Sequence, residues 1–286
     1  MTPTAHHSTH HSALAAVQAE VGHLTPALKR LAAVVLERPD RVIYQSVTEL
    51  AEDAHVGEAS VIRFCRDLGF RGFQDFKLAL AADLALRPEG GAAKGAETLA
   101  ELLEATTQEG ILALRETSAS LSPESLEAAV TALLSAEIVL VYGAGASGVT
   151  AKDFAYKLLR LGYPVLAPTD AHLAAMQAAT LPENAVVLGL TRSGSTLDTL
   201  KVLELARARS ATTITVSQRL KSPAAAQADI TLYTASSESP LTGGSIPSKL
   251  GQLLVLDVLF RGLLKRKADA EQRVADTAQA VADRNP

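Results

Sequence analysis

Apolar positions along the 286 residues change their period partway down the chain. In the N-terminal third they recur at helical spacing through "LTPALKRLAAVVLE", a short turn of helix near Pro39 to Gln45, "VTELAEDA", "EASVIRFCRDL" and "GFQDFKLALAADLA", with no stretch of strand-like alternation. Two more helices are predicted near Glu97 to Thr117 and Pro123 to Leu134. After them, short apolar runs alternate with amphipathic ones. The runs "EIVLVYG", "YPVLAP", "AVVLGLT", "TTITVS" and "ITLYT" read as strands, separated by the helices "GVTAKDFAYKLLRLG", "DAHLAAMQAA", "STLDTLKVLELARA" and "SPAAAQA". Strands that alternate with helices predict a five-stranded parallel sheet, doubly wound, with helices on both faces. A last helix, "PSKLGQLLVLDVLFRGLLKR", is apolar around most of its circumference, which predicts packing on the sheet and against a second subunit.

The fold class expected is therefore α/β overall: an all-α N-terminal domain, then a doubly wound domain. "RPEGGAAKGAE", with its Pro and clustered Gly, marks the boundary. The expected organisation is a disordered tail over residues 1–16, a helical domain over 17–86, a linker over 87–96, the α/β domain over 97–270 and a C-terminal tail over 271–286. His6, His7, His10 and His11 in the first tail have i, i+4 spacing, but no further ligand type joins them, so no metal is expected.

Composition narrows the classes further. A net charge of −4 with 20% charged residues gives no global attraction to polyanions, so any nucleic-acid binding must be a local surface. The single cysteine, Cys65, excludes an intramolecular disulfide and a thiolate cluster. The start "MTPTAHHSTHHSALAA" lacks the basic and apolar regions of a signal peptide, and no apolar run has the length of a membrane span. A cytoplasmic protein with no membrane partner is expected.

Ser46 and Glu49 have the S-x-x-E spacing of a capping box, which starts a helix at Val47. A tight turn containing Gly57 and a second helix from Glu58 or Ala59 complete a helix-turn-helix, whose second helix enters the DNA major groove. Val61, Cys65 and Leu68 form its buried stripe; Ser60, Arg63 and Asp67 lie opposite, with Arg66 beside them. Arginines so placed reach guanine edges or phosphates, and Arg71 and Lys77 would add phosphate contacts. Ser46, Ser60, Arg63, Arg66, Arg71 and Lys77 are the expected DNA-contacting set. Asp53, Glu58, Asp67 and Asp75 keep the patch from being strongly basic, and a helical bundle with merely solvated arginines is the alternative.

"SVTELAEDAHVGEASVIRFCRDLGFRGFQDFKLALA" closely resembles the N-terminal helix-turn-helix of RpiR/MurR-type bacterial transcriptional regulators. The resemblance implies that Ser60, Arg63 and Arg66 lie on the recognition helix and that Cys65 fills a position for a small buried residue.

Two loops stand at the carboxyl ends of strands in the second domain. "YGAGASGVTAKD" follows the first strand, and "TRSGST" (Thr191 to Thr196) follows the third. The first departs from a dinucleotide fingerprint, because no acidic residue ends the second strand, and from a P-loop, because no Gly-Lys-Ser/Thr follows. In a doubly wound sheet both loops open on the crevice at the strand ends. Ser147, Ser193, Ser195 and Thr196, with the amides of two helix starts, suit a phosphate monoester, whose oxygens need donors. The alternative is that these hydroxyls only cap helices.

Together with "ADITLYTASSESPLTGGSIPSKLGQLLVLDVLF", these loops are similar to the SIS, or sugar isomerase, domain in the version fused to RpiR-type modules. The resemblance implies a sugar-phosphate effector with its phosphate on Ser193, Ser195 and Thr196. Gly145, Ala146 and Ser147 come from the first loop, and Arg192 faces the sugar or solvent. Isomerases of the fold carry a Glu at the start of the last helix, where Lys249 stands here, which points to a sensor; Lys249 joins the expected effector set. An isomerase would need another acid or base, for which His172 and Glu238 are the candidates. The reading is a regulator with no cofactor, binding double-stranded operator DNA and a sugar phosphate as a homodimer or homotetramer. A phosphosugar isomerase and a metabolic adaptor without DNA binding are the alternatives.

Overall fold

The computed structural model describes residues 12–22, 24–85, 98–235 and 246–282. The chain divides into two compact units, the described residues up to Ala85 belonging to the first and those from Thr98 onward to the second. The expected linker over 87–96 and the four tail histidines lie outside the described residues.

The first unit is helical: α1 (Ala13–Glu20), α2 (Pro26–Glu37), α3 (Pro39–Val42), α4 (Val47–Asp53), α5 (Glu58–Asp67) and α6 (Phe73–Ala85). Helix α1 corrects the expected tail, which runs four residues too far. Ser12 caps α1 and also donates to Asp83 Oδ2 of α6 at 3.0 Å, while Ala13, Leu14 and Val17 enter the core. An Ala-rich start reads as a solvated tail until a partner helix buries it. Phe64, Phe70 and Phe76 meet edge to face at the centre of this unit, at 5.9 Å (Phe64–Phe76) and 5.3 Å (Phe70–Phe76) between ring centroids.

The second unit runs α7 (Leu99–Ser120), α8 (Pro123–Leu134), β1 (Ile138–Gly143), α9 (Ala146–Arg160), β2 (Val165–Leu166), α10 (Ala171–Ala179), β3 (Ala185–Thr191), α11 (Leu197–Ala208), β4 (Thr212–Ser217), α12 (Pro223–Gln227), β5 (Ile230–Tyr233), α13 (Ile246–Arg266) and α14 (Ala270–Ala282). All five strands are parallel, in the order β2-β1-β3-β4-β5. Helices α8, α9 and α13 cover one face through Leu133, Phe154, Leu158, Val255 and Leu259; α10, α11 and α12 cover the other through Ala174, Val202, Leu203 and Ala224. Helix α14 occupies most of the stretch beyond residue 270 that was expected to be a tail. Among the described residues, no helix is long and apolar enough to cross a membrane.

This strand order sets where the two loops open. From β1 the chain crosses by α9 on one face to β2, and from the adjacent β3 it crosses by α11 on the other face to β4. The two loops therefore diverge at the carboxyl edge of neighbouring strands, which opens a crevice between them.

Candidate functional site

In the first unit, Ser46 Oγ accepts from Glu49 N–H at 3.1 Å and Glu49 Oε2 accepts from Ser46 N–H at 2.7 Å, which makes the capping box complete. Ser46 is buried by that role, a correction to its place among the DNA contacts. The expected turn between α4 and α5 is present. His55, not Gly57, takes the left-handed conformation, at φ 52°, and Val56 N–H closes a six-residue turn on Ala51 O at 2.9 Å. Arg30 of α2 braces the turn by donating to Ala54 O and His55 O at 3.0 and 2.9 Å. Gly57 is extended and heads α5.

Helix α5 buries Val61, Phe64 and Cys65 and leaves Ile62, Arg63, Arg66 and Asp67 exposed, with Ser60 half-buried. Burial pushes the Cys65 thiol up to about 12, in keeping with a core residue. Arg63 forms an i, i+4 ion pair with Asp67 at 3.5 Å; no ion pair of Arg66 occurs among the described residues. Arg71, 89% exposed, pairs with Asp75 at 3.0 Å, and this bond holds the Asp75 carboxyl below its usual range. Lys77 is the second correction. It is 6% exposed, its Nζ donates to Gln45 O at 2.6 Å and lies 5.2 Å from the Phe73 ring, so it ties α6 to the start of α4 instead of meeting phosphate. Its place on the inner face of α6 was not legible, because a lysine is seldom buried.

In the second unit, both helices that leave the crevice start without a side-chain cap. Gly145 heads α9 at φ 58°, and Thr196 heads α11. Thr196 Oγ1 lies instead against Thr191 Oγ1 at 3.1 Å, and Ser193 Oγ accepts from Ser195 N–H at 3.2 Å. Ser147, Arg192, Ser193, Ser195 and Thr196 are half-buried, and Gly145 and Ala146 are exposed. Gly194, at φ +66°, packs so closely on Ser222 that no Cβ fits.

Gln252 of α13 is a residue that sequence reasoning missed. It is 3% exposed, its Nε2 donates to Ser147 Oγ at 3.1 Å, and its Oε1 lies 2.6 Å from Thr150 Oγ1. Ser147 Oγ thus acts as an acceptor within the protein. The one signal was a carboxamide interrupting the apolar face of "KLGQLLVL". Lys249 lies one turn before Gln252, half-buried. His172 is exposed in the first turn of α10, and Glu238 lies outside the described residues.

The family model described as helix-turn-helix domain, rpiR family, matches residues 11–87, and that of the SIS domain matches residues 132–261. An uncharacterised HTH-type transcriptional regulator of Haemophilus influenzae is 35% identical, covering 86% of this chain and 88% of its own length. The Bacillus subtilis HTH-type transcriptional regulator YbbH is 34% identical, over 94% and 96%. Among solved structures, the Vibrio vulnificus NanR protein complexed with ManNAc-6P superposes with a TM-score of 0.86 at 30% identity, over 95% of this chain and 98% of that one. With both domains matched and regulators aligned along most of its length, the chain belongs to the rpiR family of helix-turn-helix transcriptional regulators, carrying an SIS domain as its second unit.

Proposed function

We propose that this regulator binds double-stranded operator DNA through α5 and senses a phosphorylated sugar at the carboxyl edge of its sheet. Ser60, Arg63 and Arg66 face the bases and nearby phosphates, and Arg71 reaches the backbone. Gly145, Ala146 and Ser147 hold one side of the ligand phosphate; Ser193, Ser195 and Thr196 hold the other; Arg192 and Lys249 reach toward the sugar. The protein acts in the cytoplasm as a homodimer or homotetramer, without catalysing a reaction and without a cofactor.

One observation carries the ligand reading: neither α9 nor α11 has a side-chain cap, although hydroxyls stand beside both starts. Had Ser195 or Thr196 been there to cap, its oxygen would accept from the first amides of α11. Instead two sets of amides and the positive ends of two helix dipoles meet one crevice, an arrangement that favours an anion. The NanR complex with ManNAc-6P supports the same class of ligand.

The test is a set of thermal melts of the wild type and of a Ser193→Ala, Ser195→Ala double variant. Glucose 6-phosphate, arabinose 5-phosphate, ManNAc-6P and their unphosphorylated forms are the probes. A ligand at a hundredfold excess over its Kd adds about 2.7 kcal/mol to the native state. The expected result is that one phosphorylated compound raises the wild-type Tm, that its unphosphorylated form does not, and that the double variant loses the shift. The same compound then changes operator affinity in a gel-retardation assay. An equal shift in the double variant would remove the hydroxyl loop from the site.

A further inference from the structure

Two buried polar atoms at the carboxyl edge of the sheet have no hydrogen-bond partner among the described residues: Gln218 Nε2 and Thr234 Oγ1. The residues are 5% and 1% exposed. Burying a donor without an acceptor is costly, so each such group calls for an explanation. Both lie at the carboxyl edge of the sheet beyond β3, and their neighbours link them step by step to each of the two ligand loops. Gln218, one residue beyond β4, donates its N–H to Arg192 O in the "TRSGST" loop at 3.3 Å. Thr234, one residue beyond β5, donates its N–H to Ser217 O, next to Gln218, at 2.9 Å. Thr234 in turn abuts α13, because a Cβ built on Gly251 would lie 3.3 Å from Thr234 Cβ. Gln252, the next residue, bonds Ser147 in the first loop. The alternation of β4 carries Gln218 onto the face of Ile214 and Val216, where α9 and α13 pack.

Resting on the proposed phosphosugar site, we infer that Gln218 and Thr234 read the neutral part of the ligand: the Gln218 carboxamide donates to a sugar oxygen, and the Thr234 hydroxyl bonds a sugar hydroxyl. The two loops already supply amides and hydroxyls for the phosphate. What Gln218 and Thr234 add is uncharged, oriented hydrogen-bonding groups, which discriminate among sugars that carry the same phosphate. A site built to bond a substrate hydroxyl rejects an analogue that lacks it, because its buried polar groups are then left unpaired.

The variants Gln218→Met and Thr234→Val keep side-chain volume and remove the unpaired atoms. Ligands are the phosphorylated sugar that most raises the wild-type Tm in the panel above and, as a control, inorganic phosphate. The expected signature has opposite signs. The free variants melt at or above the wild-type temperature, since an unsatisfied polar group is gone, yet each binds the phosphorylated sugar about tenfold more weakly by calorimetry. The shift with inorganic phosphate is unchanged. Phosphosugar affinity equal to wild type would overturn the inference and leave only a trapped water at these atoms. A lower Tm in the free variants would overturn it too, by showing that both groups already have partners in the free protein. If no phosphorylated sugar stabilises the wild type, the proposed function itself falls, a result separate from either of these.

Discussion

A methyl group added at Gly194 would stand 2.3 Å from both Cβ and Oγ of Ser222, on a backbone held at φ +66°. Ser222 is not free to retreat: its Oγ donates to Arg219 O at 3.0 Å and accepts from Ala225 N–H at 3.3 Å, which caps α12. Gly194→Ala therefore combines a left-handed penalty with a displaced cap, an expected loss of about 2–4 kcal/mol. Urea denaturation measures it, with loss of the phosphosugar Tm shift in the same protein; a variant as stable as wild type would show that the loop relaxes freely. At this scale the sequence was legible where a residue acts through its own neighbours. The stripe of Val61, Cys65 and Leu68 is buried as its spacing predicts. It was not legible where the partner is distant. Gln252 meets Ser147 across a separation of 105 residues and Lys77 meets Gln45 across 32, and no local period encodes either.

The helix-turn-helix shows how an element records its own limits. Ser46 and Glu49 satisfy two amides at the start of α4, so the helix begins where the S-x-x-E spacing sets it. Ser46→Ala should cost about 1 kcal/mol, with Ser46→Thr recovering most of it, as read from the midpoint of denaturation. A loss near zero would mean that tertiary packing alone holds α4. The end of α4 was less legible. The spacing placed a tight turn containing Gly57 here, and the structure closes that turn at His55, where Val56 N–H bonds Ala51 O and Arg30 holds the carbonyls of Ala54 and His55. The same geometry ends α5, with Gly69 at φ 88° and Phe70 N–H on Cys65 O at 3.0 Å. Capping decided the ligand loops in the opposite sense: Thr196 Oγ1 bonds the Thr191 hydroxyl, Ser193 Oγ accepts from Ser195 N–H within the loop, and neither caps the start of α11.

At the scale of the whole molecule, the charge of −4 leaves DNA binding to a local surface, which we propose lies on α5. Each phosphate neutralised releases counterions, so operator affinity should fall linearly in a plot of log K against log salt. For Arg66→Ala the slope should shrink by about 0.9 per subunit if Arg66 contacts phosphate; a loss of about 1–3 kcal/mol confined to the specific site would mark a base contact instead. Neither change, in a variant that melts like wild type, would move the DNA surface away from α5. A symmetric assembly pairs with a symmetric site, so half-sites about one helical turn apart are expected in the operator.

By itself the amino-acid sequence determined the two kinds of unit, the parallel sheet, the helix-turn-helix and the two hydroxyl-rich loops. Each of these rests on periodicity, capping or turn chemistry within about ten residues, and such signals survive without knowledge of the rest of the chain. Only the tertiary structure decided that Lys77 and Ser46 are internal, that α1 begins at Ala13, that Gln252 bonds Ser147, and that Gln218 Nε2 and Thr234 Oγ1 are buried without a partner among the described residues. Those outcomes depend on which surfaces meet after the sheet is assembled. Burial and partnership are properties of a packed neighbourhood, and residues far apart in the chain make that neighbourhood only once the strands have taken the order β2-β1-β3-β4-β5.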